Sequence, residues 1–294
     1  MRSELPASAL YSHPSLGRLW QRVHHGHSPF LHRKAVRLLY QKPASIIGRH
    51  LSHPYTLVAL GCADGNKESL LLQKLPPPAL LLALDTNLSL ARRAARRLPA
   101  RHKISRQVDL ASNTVFFNPK SKIHNHKSLR VLPRLITLFG VLPNLDPLPL
   151  LQRIAQRMPR GDLLLFSANL APGSSSFAGA RQVLPQYDNP TTRRWLEAAV
   201  ARYRPKLPPG TLHFGIHPDP LQKTLARIEA RWISPKCTRI VFASRRPTAA
   251  QVAAWIRTTR LRTIARWIEP RGEEGLWLVS LKSPSDKTKV TPWL

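Results

Sequence analysis

The stretch TLVALGCADGNKE, residues 56–68, decides the fold. Thr56–Leu60 is a short, unbroken apolar run, the pattern of a parallel strand buried on both faces. Gly61 to Lys67 is a turn of small and polar residues, and an apolar helix is expected from Glu68 to about Leu75. A second apolar run, ALLLALD at 79–85, ends in an aspartate 20 residues after Gly65. A helix rich in Ala, Leu and Arg follows at 88–98. Strand, tight turn, helix and a second strand closed by a carboxylate make a βαβ unit.

Working outward, a third strand is expected at 101–108, ahead of Asp109-Leu110, a fourth at 134–139 and a fifth at 161–170. A helix is expected at 148–158, and the polar, aperiodic stretch 117–130 reads as a loop. Five strands alternating with helices predict an α/β doubly wound sheet. Ligands of such sheets lie beyond the carboxyl ends of the strands. Gly61, Asp85, Asp109, Gly140, Asn144 and Asn169 all fall there, which marks a candidate cleft. Small residues in the first turn let backbone approach a nucleoside, and a carboxylate closing the second strand accepts two ribose hydroxyls. That chemistry suits NAD or S-adenosylmethionine. The turn is not GxGxxG and does not offer a pyrophosphate its glycine cradle, so the ligand without phosphates fits better.

The chain has 294 residues, 43% hydrophobic and 21% charged, which excludes a disordered chain or a disulfide scaffold. Lys and Arg number 46 against 15 Asp and Glu, a formal charge of +31. The basic residues are spread along the chain and read mainly as solvated surface. Arg92, Arg93, Arg96 and Arg97 form one cationic helix stripe compatible with a phosphate backbone. No aromatic residues interleave with it, which disfavours nucleic acid as a partner. Two cysteines, Cys62 and Cys237, without a CxxC pattern fit a reducing compartment. The start MRSELPASAL has no secretory apolar core, and no apolar run approaches membrane-spanning length. A cytoplasmic protein is expected, with no prediction of oligomeric state.

Residues 1–50 read as a basic segment of short helices broken at Pro29 and Pro43 that packs beside the cleft, with His24, His25 and His27 in a solvated loop. The doubly wound domain spans 51–172. Residues 173–294 read as a smaller α+β part. It holds a helix at 191–203 capped by Asn189 or Thr191, and ambiguous strands or a strand–helix pair around TLHFGIH and ARIEARWIS. A strand at 237–246, a helix opened by Thr248 and a final hairpin-like pair complete it. His213 and His217 read as surface residues, and the last dozen residues as frayed.

LGCADGNKE (60–68), ALD (83–85), LFGVLPNLDP (138–147), GDLLLFSANLAP (161–172) and QYDNPTTRRWL (186–196) occur in this order. Together they resemble the histidine-specific methyltransferase family, whose members include the ergothioneine-pathway histidine Nα-methyltransferase. The resemblance implies a class I methyltransferase with a Rossmann-like sheet and S-adenosyl-L-methionine as methyl donor. It implies a small-molecule amine, amino-acid-like and histidine-like, as acceptor. It assigns Gly61, Asp64, Gly65, Lys67 and Gly140 to the donor side, Asp85 to the ribose, and Asp109 with Leu110 to the adenine. Asn144 and Tyr187 would hold and orient the amino acid. Ser244 falls at the second position of a Glu-x-Ser pair that recognises imidazole. The Glu position is Phe242, whose ring cannot accept an imidazole N–H. Nucleic-acid methylation and a non-catalytic homologue remain the alternatives.

Overall fold

The computed structural model describes residues 4–112 and 132–283. The loop expected at 117–130 lies outside them, as does nearly all of the C-terminal stretch expected to fray. Five helices open the chain: α1 (Ala9–Ser12), α2 (Pro14–His27), α3 (Pro29–His32), α4 (Lys34–Leu39) and α5 (Ala44–His50). His13 caps α2 through its side chain and Pro14 occupies the first turn, where a missing N–H costs nothing. No breaker intervenes before Ser28-Pro29. The helix therefore runs through His24, His25 and His27, and the solvated loop expected there is replaced by its last turns.

The βαβ unit follows as β1 (Thr56–Leu60), α6 (Asn66–Leu72) and β2 (Leu80–Asp85), then α7 (Leu88–Arg97) and β3 (His102–Gln107). Asn87 caps α7, accepting from the N–H groups of Ser89 and Leu90. Ala91 and Ala94 of α7 are buried, while Arg92, Arg93, Arg96 and Arg97 are exposed, as the stripe requires. Next come β4 (Arg134–Leu138), α8 (Pro147–Arg157) and β5 (Leu163–Asn169). The five strands are mutually parallel. Successive residues of β1 feed opposite faces: Leu57 and Ala59 join one apolar cluster, Val58 and Leu60 the other. Each of these leucines and the valine is wholly buried, worth about 1.5–3 kcal/mol apiece relative to exposure. The first cluster is completed by α3–α7, the second by α8 and a later helix.

Beyond β5 the chain forms α9 (Ser176–Val183), α10 (Pro190–Tyr203, capped by Asn189) and three antiparallel strands. These are β6 (Thr211–Pro218), β7 (Ala226–Ser234) and β8 (Cys237–Arg246), so both ambiguous segments are strands in a separate small sheet. Then α11 (Ala249–Arg257), opened by a Thr248–Gln251 capping box, leads to β9 (Leu261–Ile268) and β10 (Glu274–Leu281). These two pair antiparallel as expected of a hairpin, but β10 also pairs antiparallel with β5. The central sheet thus has seven strands in the order β3-β2-β1-β4-β5-β10-β9. The boundary drawn at 172/173 therefore does not divide the two sheets: 249–281 returns to the larger one. The reason lies in β10 itself. Leu276 and Leu278 feed one apolar cluster and Trp277 and Val279 the other, so the strand needs cover on both faces.

The N-terminal helices serve both sheets. Phe30, Val36, Leu39, Tyr40 and Ile47 pack under the central sheet. Leu5, Leu10 and Leu16 pack with Trp195 of α10 and Phe242 of β8 over the small one.

Candidate active site

Strand order runs outward from β1 to β3 on one side and from β4 to β5 on the other. The switch point between β1 and β4 is where an open α/β sheet leaves a crevice. A cavity of about 300 Å³ lies there. Its floor is the strand ends: Gly61, Asp85, Asp109, Leu110, Gly140, Asn144 and Asn169 all line it. Asp64, Lys67, Tyr187 and Ser244 line it as well. Gly65 does not: it caps α6 in a left-handed conformation (φ +76°), with a would-be Cβ 3.2 Å from Ala94 of α7. It shapes the turn without facing the cavity.

Gly61 has φ +60°, and a Cβ there would stand 2.3 Å from Val141 Cγ2. Only glycine lets the turn after β1 pass this close to the turn after β4. Asp85 is 6% exposed. Its Oδ2 accepts from Ala63 N–H at 2.9 Å and its Oδ1 from Asn87 N–H at 2.8 Å. Burial raises its pKa to about 6, opposed by these two N–H groups, so it is ionised at neutral pH. Each oxygen keeps a lone pair, and the residue faces the cavity; this pair of acceptors fits a vicinal diol. Asp109 Oδ1 accepts from Ala111 N–H at 2.9 Å, which folds 109–112 into a turn with Leu110 in the wall. Asp64 is drawn toward α7 by Arg97 at 3.1 Å.

Lys67 is held beneath the cavity by Glu274 at 3.1 Å, with its ammonium over the rings of Tyr40 and Phe30. Tyr40 donates its hydroxyl proton to the same Glu274. Glu68, fully buried and accepting from Thr137 Oγ1 at 3.1 Å, has its pKa pushed up to about 7 by burial.

Elsewhere in the wall, the Asn144 amide donates to Tyr11 Oη at 3.2 Å. Tyr187 Oη lies 3.2 Å from Ser244 Oγ. The Tyr187 ring tilts against Phe242, which in turn meets Trp195. Phe242, Ser244 and Arg246 are alternate residues of β8 and share one face; all three line the cavity.

The N-terminal helices do pack beside the cleft, as expected, and close it from α1–α3; the side chains that do so, Tyr11, Trp20, His24 and Phe30, were not singled out for this in the sequence. Leu16, Leu19, Trp20 and Val23 do carry a helical period, but nothing local says what that face covers. His24 stacks between Trp20 and Phe30, and burial, aided by the Lys67 charge, lowers its pKa to about 4. It is a neutral wall. Arg33, paired with Glu273, and Arg246 were also missed.

Among solved structures, an S-adenosylmethionine-dependent methyltransferase from Clostridium acetobutylicum superposes with a TM-score of 0.51 at 12% identity, covering 90% of this chain and 99% of that one. A second, from Anabaena variabilis, gives 0.49 at 11% identity, covering 96% and 98%. At such identity the first likeness speaks for the fold alone. No curated protein matches the sequence. A family model for histidine-specific, SAM-dependent methyltransferases matches residues 1–181, which span the roof helices, the glycine turn, Asp85 and the Asn144 loop. With that match over more than half its length, the chain belongs to the histidine-specific, S-adenosylmethionine-dependent methyltransferase family.

Proposed function

We propose that this methyltransferase N-methylates the amine of a small, amino-acid-like molecule. The observation that carries the reading is that Asn144, Tyr187 and Ser244 share one roofed cavity with Gly61 and Asp85. An acceptor held by the first three lies beside a donor held by the last two. S-adenosylmethionine supplies an electrophilic methyl group on a cationic sulfur. The chain's own work is to align and desolvate the two partners. Asp85 holds the ribose diol, the backbone at Gly61 and Gly140 lets the donor approach closely, and Leu110 flanks the adenine. Asn144, steadied by Tyr11, orients the amine, and Tyr187 closes over the acceptor. The amine attacks in its neutral form, so its proton departs before transfer.

Phe242 gives an imidazole N–H no acceptor, and a wall of this kind disfavours free histidine. Nor does a roofed cavity of about 300 Å³ favour a polynucleotide.

The test is calorimetric titration with S-adenosylmethionine and S-adenosylhomocysteine, followed by a screen of amino acids and related amines for S-adenosylhomocysteine release. Micromolar donor binding with turnover of a small amine is expected. Donor binding with turnover only on nucleic acid would overturn the acceptor class.

A further inference from the structure

The charged residues of the cavity are almost all matched. Lys67 meets Glu274, Arg33 meets Glu273, and Asp64 meets Arg97. Glu68 accepts from Thr137 and Asp85 from two backbone N–H groups. Glu273 is further held by Gln186 at 2.8 Å. Of the cavity's cationic side chains Arg33, Lys67 and Arg246, the last stands apart. It is 3% exposed and lines the cavity, yet among the described residues it has no ion-pair partner. Its Nη1 donates to Leu170 O at 3.3 Å and its Nη2 to Tyr187 Oη, both neutral groups. Nε–H has no partner. The guanidinium lies over the Tyr187 ring, 4.9 Å from its centroid.

A second donor in the same cavity is unmatched. Thr192, 2% exposed in the first turn of α10, lines the wall with its hydroxyl unbonded. Buried charges in native proteins are paired, and buried donors are satisfied. A cation aimed into a cavity, without an acid to meet it, asks for an anion from the ligand. The guanidinium fork is shaped for a carboxylate. The surrounding walls, Tyr187, Phe242 and Trp195, are aromatic and carry no negative charge.

We propose that Arg246 is the anion-recognising residue of the acceptor site and that the acceptor carries a carboxylate seated against it. The body of the acceptor rests on Phe242 and Tyr187, and its amine lies on the Asn144 side. Arg246 thereby sets specificity: amines without a negative charge leave it buried and unmatched. The proposal rests on the methyl-transfer reading for the reaction, but the anion site stands on its own geometry.

Binding is measured by calorimetry on the whole protein, with and without saturating S-adenosylhomocysteine. L-glutamate against L-glutamine tests a distal carboxylate. L-phenylalanine against phenethylamine tests an α-carboxylate. Charge-assisted bonds to a buried guanidinium are worth roughly tenfold to a hundredfold. At least one pair is expected to differ by that much in favour of the acid, and the pair that differs identifies the source of the carboxylate. Arg246→Gln should bring that ratio below about threefold, while Arg246→Lys keeps part of it. Ratios near one for both pairs in the wild-type protein, or no binding of any acid, overturn the proposal without recourse to a variant. So does a folded Arg246→Gln protein that keeps the full ratio. If the donor analogue fails to bind, the methyl-transfer reading falls. The pairs measured without it still decide the anion site.

Discussion

Replacing Asp85 by alanine separates donor recognition from folding. The side chain is buried and accepts two backbone N–H bonds, from Ala63 and Asn87. Removing it strands both donors, at about 1–3 kcal/mol each where water cannot reach. The carboxylate is itself poorly solvated: its pKa stands near 6 against an ordinary 3.8. At neutral pH that difference, roughly 3 kcal/mol of unfavourable ionisation, is relieved by the substitution. The two effects oppose each other, so the ligand-free fold should change by no more than about 3 kcal/mol, between a gain of about 1 and a loss of about 3 kcal/mol. Donor binding has no such offset. Two charge-assisted bonds to the ribose hydroxyls are lost, about 1.5–3 kcal/mol each. The dissociation constant for S-adenosylhomocysteine should therefore rise by roughly a hundredfold to ten-thousandfold. Calorimetry reads the affinity, and urea denaturation of the ligand-free protein reads the fold. A folded variant whose affinity stays within about threefold of wild type would refute the placement of the ribose.

The same carboxylate makes donor binding pH-dependent: affinity should be level above pH 7 and fall about tenfold per unit below pH 6, where Asp85 takes up a proton. A flat titration from pH 5 to 8 contradicts this. Glu68 acts on stability instead. Its folded pKa near 7 lies above the ordinary 4.5, so the folded state holds a proton that the unfolded state releases between those values. Ligand-free stability should therefore gain roughly 2 kcal/mol from Glu68 as pH falls from 8 to 5, a gain that Glu68→Gln removes in paired urea titrations. Glu274→Ala leaves Lys67 and the Tyr40 hydroxyl without their shared acceptor and should cost about 3 kcal/mol; a loss under about 1 kcal/mol would show the pair to be merely superficial. Tyr11→Phe removes the oxygen that accepts from Asn144 and should raise the acceptor KM about fivefold, leaving donor affinity unchanged; equal loss of both would place Tyr11 with the donor.

The central sheet was legible because its signals are local. Thr56–Leu60 and Leu80–Leu84 are apolar on both faces, and Gly61 and Asp85 sit where strand ends must leave backbone and carboxylate free. The return of β10 to that sheet was not legible. A hairpin pattern at 261–281 is the same whichever sheet receives it, and only Trp277 and Val279, opposite Leu276 and Leu278, hint at two covered faces. The N-terminal helices were expected beside the cleft, but which of their side chains close it was not legible, for a related reason. The period through Leu16 and Trp20 predicts an amphipathic helix, but the identity of the surface it covers is a tertiary fact. His24 followed from the same gap: a run of histidines reads as polar, and only stacking between Trp20 and Phe30 makes one of them a wall.

The proposed donor and acceptor residues hang on separate sheets. Gly61, Asp85, Asp109 and Gly140 hang on parallel strands whose backbones are locked between two apolar clusters. Moving any of them disturbs the whole sheet. Phe242, Ser244 and Arg246 hang on β8, one strand of a separate antiparallel sheet inserted between β5 and β9. Its packing partners are α1, α2, α9 and α10 rather than the central strands. A substitution at 242 or 246 changes the chemistry offered to the acceptor and leaves the donor strands untouched. Phe242 and the unmatched Arg246 occur on the same face of the same strand. Exchanging Phe242 for Glu would test the coupling directly: a carboxylate two residues from Ser244 should neutralise Arg246 and abolish discrimination between glutamate and glutamine, or between phenylalanine and phenethylamine. Donor affinity should hold. If instead the donor were lost together with that discrimination, β8 and the central sheet would not be the independent units that their separate apolar clusters imply.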